Sequence, residues 1–426
     1  MTDMERGGNG IYTLYGLSDN PFPQSPTVII DSPDKRLNGR IFYEGIFPDK
    51  VAKFKELLEK RTNMIYVRGS QYVKGDGKSA LMAHAFFMYE RRQDTAVAFI
   101  RCTGRNGKVS TPEHYCREII RQLHQRGYLW KAFGALTNMF LAESSKYVYA
   151  RPGAALMFKK HNVPPDTLPF TRFTNISRVG EFAKVLSEWI VAKTGCSAKF
   201  THELVKAYLE RPATMEKEVI VKNSDKIEDF GDCLKILRAG GFGWCYFFLD
   251  QMEESLDIPA GAIGNFTSAL RRVIEKSSGF ATLVATLHAS SVRTLLDNPE
   301  GRVNIQSFAP LDENHYVTLY PDDIVKDNRV VGLVETYLRE FTIDATKPSP
   351  FDPQVIKYVA HLYRGNLREI LRTMHHMIMS AASKRQQLID MAYVKANHNE
   401  AVGKEFSEET YQQFMTSMQL GRRPSS

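Results

Sequence analysis

Gly75-Asp76-Gly77-Lys78-Ser79 lies between an apolar run, Met64-Ile65-Tyr66-Val67, and a second one, Ala80-Leu81-Met82-Ala83. Strand, glycine loop, Lys-Ser pair and helix together form a cradle for a nucleotide triphosphate. Backbone N–H groups and the helix N-terminus face the phosphates, the lysine reaches the outer phosphates, and the hydroxyl ligates Mg2+. Gly75, Asp76, Gly77, Lys78 and Ser79 are therefore the expected nucleotide-binding residues, with Ser79 also an expected metal ligand. The loop departs from G-x-x-x-x-G-K-[ST], because Tyr72 stands where the first glycine belongs and the nearest upstream glycine is Gly69. A Gly-Lys-Ser triplet also occurs in unrelated surface turns, so its flanks and partners have to decide.

One such partner is the unbroken apolar run Trp244 to Leu249, which ends in Asp250. A run of this kind reads as a strand buried on both faces of a parallel sheet. An acid at its C-terminal end stands where open α/β sheets bind ligands and can hold the Mg2+ water shell. Asp250 is the expected metal-side acid; capping a helix that begins near Met252 is its other possible duty.

Phe280 to His288 is a further β-rich run, and its Thr286 and His288 would stand beside the γ-phosphate if this strand neighbours the one ending at Asp250. Both residues could equally serve only to satisfy nearby backbone. Tyr363-Arg364-Gly365-Asn366-Leu367-Arg368 opens a helix after a Gly-Asn break, and Met374, Met377, Ile378 and Ala381 continue it at helical spacing. Arg368 falls in the first turn, where a cation gains nothing from the helix dipole. It needs an anion, either the γ-phosphate or an acid such as Glu253.

In this order the elements resemble the AAA+ ATPases, within the branch holding the origin-recognition ATPases, the ExeA-type secretion ATPases and the TniB-type transposition ATPases. Asn20-Pro21-Phe22 is similar to the opening of ExeA-like chains, Ala98 to Cys102 to a second strand, and Phe308 to Glu313 to the approach to that family's lid. The resemblance covers both ends of the chain and not its middle. It implies an α/β fold: a P-loop NTPase parallel sheet flanked by helices, with a helical insertion and a C-terminal α-helical lid. It also implies ATP and Mg2+ as ligands. Hydrolysing members carry a catalytic glutamate directly after the strand-end aspartate, where this chain has Gln251; Glu253 is the nearest replacement, and glutamine is a poor proton acceptor. A neighbouring subunit's arginine completes the family's site. Arg302 occupies the matching stretch, with Arg293 and Arg272 as substitutes, and supplying it in trans links hydrolysis to homo-oligomer assembly.

The organisation expected is a lead-in over 1–62, a nucleotide-binding core over 63–309 interrupted by a helical insertion over 127–240, a lid over 310–399 and a polar, disordered tail over 400–426. The insertion is the expected surface for a protein partner. The 426 residues are 43% apolar and 24% charged, ample for a packed core. No apolar run has the length of a membrane span and the start lacks a signal-peptide core, so a cytoplasmic protein without membrane contact is expected. Cys102, Cys116, Cys196, Cys233 and Cys245 are odd in number and lack a C-x-x-C pair, which disfavours zinc and a disulfide framework. His375-His376 has no acid or cysteine at ligand spacing.

A net charge of +8 permits an anionic partner, and Lys146 to Arg151 with Lys159-Lys160 is a basic, aromatic stretch suited to DNA. Origin-recognition relatives carry a winged-helix domain after the lid, for which the span beyond Asn399 has no room. The function expected is an ATPase, binding and slowly hydrolysing ATP to control assembly on DNA or a DNA-bound protein complex, as a loader, matchmaker or anti-phage defence ATPase. A remodeller of a protein partner without nucleic acid, and a non-hydrolysing nucleotide switch or scaffold, are the alternatives.

Overall fold

The computed structural model describes residues 9–69, 75–103, 110–143, 179–209, 225–326 and 329–420. Five strands, β1 (Met64–Gly69), β2 (Thr95–Arg101), β3 (Trp244–Asp250), β4 (Ala281–Leu287) and β5 (Tyr316–Leu319), form one sheet in the order β2-β3-β4-β1-β5. Every pairing is parallel. A parallel sheet must be covered on both faces, and strand alternation divides the apolar residues between two cores. Met64, Tyr66, Phe247 and Leu283 point to one core; Ile65, Val67, Phe248 and Val284 point to the other. Phe247 and Phe248 are each fully buried on opposite faces, contributing about 2 kcal/mol apiece. The fold is α/β, a five-stranded parallel sheet between helical layers.

The first core takes helices Pro112–Gln125, Tyr128–Glu143, Val179–Thr194, Ala198–Leu209, Lys226–Ala239 and Ala260–Ser277. The helices between β2 and β3 thus share one apolar core with the sheet, and Lys226–Ala239 packs against Pro112–Gln125 and Ala260–Ser277. Helix Lys78–Glu90 lies in the second core, together with the lead-in and the C-terminal helices. The Asn-Pro-Phe stretch has a definite task there. Phe22 is fully buried, Asn20 Nδ2 donates to the carbonyl of His375, and the His375 ring bonds the carbonyl of Phe22 at 2.8 Å. These contacts staple the lead-in to helix Leu367–Ser383.

Two expectations about the C-terminal part are corrected. Tyr316–Leu319, inside the span expected as lid, is the edge strand β5, paired with β1 through Val67 and Val317. Its four residues are too few for a period to show, and Pro321 ends it. The stretch after Asn399, expected as a disordered tail, includes helix Glu408–Leu420, whose Phe414 is buried against helix Pro353–Leu362. Tyr411, Phe414, Met415 and Met418, recurring at helical spacing, form the apolar stripe that docks this helix.

The basic stretch Lys146 to Arg151, Lys159-Lys160, and residues 421–426 lie outside the described residues. All five cysteines are free and buried. No helix among the described residues is long and apolar enough to cross a membrane.

Candidate nucleotide site

The C-terminal ends of β1, β3 and β4 meet at one edge of the sheet, because β4 pairs with both β1 and β3. From β1 the chain reaches Gly77, whose φ of +88° is open to glycine without strain, and helix Lys78–Glu90 begins directly after it. No acidic side chain occupies that helix's first turn, so its free N–H groups and positive dipole end face the loop.

Ser79 Oγ donates to Asp250 Oδ1 at 2.8 Å. Lys78 Nζ is 3.8 Å from Asp76 Oδ2, with both side chains almost fully buried. Asp250 is 3% exposed, and burial pushes its carboxyl up to about 6 against the opposing Ser79 hydrogen bond, with Glu253 adding repulsion. Asp250 ends β3 as a strand residue and caps no helix: the 3-10 turn Met252–Leu256 starts from Gln251.

Gln251 is left-handed, φ +61°, a conformation costing a non-glycine residue roughly 1 kcal/mol. Thr286 at the end of β4 holds it there. Its Oγ1 accepts the Gln251 N–H at 2.7 Å and donates to Glu253 Oε2 at 3.0 Å. His288 Nε2 stands 3.1 Å from Glu253 Oε1, while its Nδ1 is buried with no hydrogen-bond partner among the described residues. Burial would raise the Glu253 carboxyl, but the His288 contact and the Lys78 charge outweigh it and hold it below its ordinary value. The turn after β3 therefore brings Glu253, two residues beyond the place of a conventional catalytic acid, back over the end of β4.

Above the loop sits the opening of helix Leu367–Ser383. Asn366 caps it, its Oδ1 accepting the N–H of Arg368 at 3.1 Å and of Glu369 at 3.3 Å. Arg368 lines the same cleft as Lys78, Ser79, Asp250 and Glu253, and no acid among the described residues pairs with it.

Arg302 lies elsewhere. It is exposed on helix Pro299–Phe308, its Nε donating to the carbonyl of Leu296 at 2.7 Å, and does not line the cleft. Of its substitutes, Arg272 is engaged with Asp225 and Glu228, and Arg293 is exposed on helix Ala289–Asp297.

Other cleft residues were missed by the sequence reading. Arg101 ends β2 in register with Asp250 and its guanidinium donates to the carbonyl of Val28; its place at a strand end was the available signal. Ile41, Phe42, Tyr43, Leu333 and Tyr337 also line the cleft. The lead-in residues among them carry no periodic pattern that could have marked them.

The residues present fit a metal-bound nucleotide. A hydroxyl and a carboxylate from separate elements sit within hydrogen-bond distance, and a buried lysine and Arg368, which has no acid partner among the described residues, line the same cleft. No family model matches the sequence, and no curated protein matches it. Among solved structures the chain is similar to the ORC1 protein of Aeropyrum pernix, described in complex with DNA, at 15% identity and a TM-score of 0.41, over 84% of this chain and 68% of that one.

Proposed function

We propose that the cleft binds ATP with Mg2+ and hydrolyses it slowly, and that nucleotide state governs assembly of the protein with copies of itself and with DNA or a DNA-bound complex. The observation that carries this reading is the convergence of Lys78 and Ser79 from the loop helix with Asp250 from β3, closed by the 2.8 Å Ser79 to Asp250 hydrogen bond. Ser79 and Asp250 would hold Mg2+, which when bound neutralises phosphate charge and polarises the terminal phosphate. Lys78 and the N–H groups of the loop bind the outer phosphates. Ile41, Phe42 and Tyr337 offer apolar and aromatic walls for a flat base. Glu253, ionised and oriented by Thr286 and His288, takes a proton from the attacking water, and Arg368 closes on the γ-phosphate from the lid. Arg302, exposed and outside its own cleft, is free to serve that of a neighbouring copy.

A non-hydrolysing switch is a second reading, favoured by one observation. Gln251 occupies the usual place of the acid, and both Glu253 oxygens are already bonded within the protein. The test is ATP binding and turnover by the wild type, Lys78→Ala and Glu253→Gln, each with and without duplex DNA. Turnover abolished by Lys78→Ala, blocked without loss of binding by Glu253→Gln and stimulated by DNA is expected. Binding that depends on Lys78 with no turnover in any condition would establish the switch instead, and no binding at all would overturn both readings.

A further inference from the structure

Asp76 is out of keeping with a loop built to receive anions. It is 2% exposed and, among the described residues, its Oδ2 has no hydrogen-bond partner and its ion-pair contact is Lys78 Nζ at 3.8 Å. The fit is made by Gly69. A Cβ on that residue would lie 1.8 Å from Asp76 Oδ2 and 3.4 Å from Lys78 Nζ, so carboxylate and ammonium meet over the one position at the end of β1 that has no side chain. Asp76 also lines the cleft together with Lys78, Glu253 and His288. Burial raises its carboxyl, with the Lys78 and His288 charges opposing. A buried carboxylate with an orphaned oxygen costs stability, and a small neutral residue would fill the space without that cost. Such a group calls for a functional account.

We propose that Asp76 is a built-in competitor for phosphate: its carboxylate engages Lys78 in the nucleotide-free protein and repels an incoming phosphate chain, weakening nucleotide binding and hastening release. The inference rests on the reading of the cleft as a nucleotide site. Its geometry follows from the loop. Lys78 is the residue that must reach the outer phosphates, and Asp76, two positions earlier, holds the same ammonium from the β1 side. Binding therefore exchanges one anion for another at Lys78 and brings the displaced carboxylate against like charge. The penalty acts on phosphate and not on the base, so the brake grades ligands by their phosphate content.

The test is equilibrium binding of ATP, ADP and adenosine, with dissociation rates, to the full-length wild type, Asp76→Asn, Asp76→Ser and Lys78→Ala, each checked by thermal melting. Asp76→Asn and Asp76→Ser are expected to bind ATP and ADP about tenfold tighter or more, with slower release, and adenosine unchanged. Unchanged or weaker ATP and ADP affinity in a folded Asp76 variant overturns the proposal, as does an equal gain for adenosine. The serine variant keeps the test open if the asparagine variant fails to fold. Wild-type ATP binding that Lys78→Ala removes upholds the nucleotide site even where the Asp76 variants show no gain, and absence of ATP binding in the wild type and both Asp76 variants overturns site and brake together.

Discussion

Leu367 donates its backbone N–H to the carbonyl of Gly75 across 3.1 Å, so the first residue of helix Leu367–Ser383 is bonded to the first glycine of the loop that precedes helix Lys78–Glu90. This bond ties the start of that helix to the loop.

Gly75→Ala should separate them. A Cβ there would stand 2.2 Å from Asn366 Oδ1, and the φ of +120° is one that side chains rarely adopt. The expected outcome is a loss of about 1–3 kcal/mol in stability with nucleotide affinity reduced tenfold or more. Asn366→Ala, which removes the cap, should cost about 1 kcal/mol or more. Chemical denaturation and calorimetric titration measure both.

Asp250 makes the nucleotide-free protein sensitive to pH. Its carboxyl is raised to about 6 in the fold, above its value of 3.8 in the unfolded chain, so between those limits the folded state binds the extra proton. Stability from this group is present at low pH, is lost as pH rises from about 4 to about 6, and is flat beyond, a total of roughly 2–3 kcal/mol. Asp250→Asn should remove that slope and be more stable than the wild type at pH 7 without nucleotide, while losing Mg2+-dependent ATP binding. The difference between the two proteins' unfolding free energies across pH 4 to 7 is the measurement.

Thr286 carries two bonds on one oxygen, from Gln251 and to Glu253. Thr286→Val keeps the shape and removes both, leaving the Gln251 N–H without an acceptor at a cost of about 1–3 kcal/mol. Turnover should fall at least tenfold with ATP affinity changed only a few-fold, because the loss falls on the orientation of Glu253 and not on the Gly75 to Ser79 loop. Steady-state kcat set beside a directly measured Kd separates the two effects.

Phe22→Ala tests the staple between the lead-in and helix Leu367–Ser383. The ring is fully buried and packs with Tyr337 and Phe351, so its removal should cost about 3–5 kcal/mol. Because Tyr337 also lines the cleft, ATP affinity should weaken as well. Urea unfolding and nucleotide titration of the same variant check the pair.

What was legible in the sequence was whatever repeats or runs. β3 is an unbroken apolar stretch up to Asp250, and β1 and β4 are largely apolar, because both faces of each are covered; Asp250 stands out for that reason, Thr286 less so beside Thr282. Helix Leu367–Ser383 showed its period and its Gly-Asn start. Less legible was anything set by tertiary contact alone. Irregular backbone from Pro23 to Tyr43 forms a wall of the cleft through shape and not through pattern. The opposition of Asp76 and Lys78 depends on the missing side chain at Gly69, which no local rule reveals. Arg302 reads in sequence as a site residue, yet in the fold it bonds its own Leu296 and stays outside the cleft.

The staple between Asn20-Pro21-Phe22 and His375 has a practical consequence for watching the protein work. Fluorescent probes at Ile11 and Met379, both solvent-accessible, ride on the same clamped segments and should report an unchanging separation through the nucleotide cycle. A probe moved from Met379 to the accessible Met139, on the helical layer across the sheet, turns the same donor at Ile11 into a gauge of the distance between the two layers.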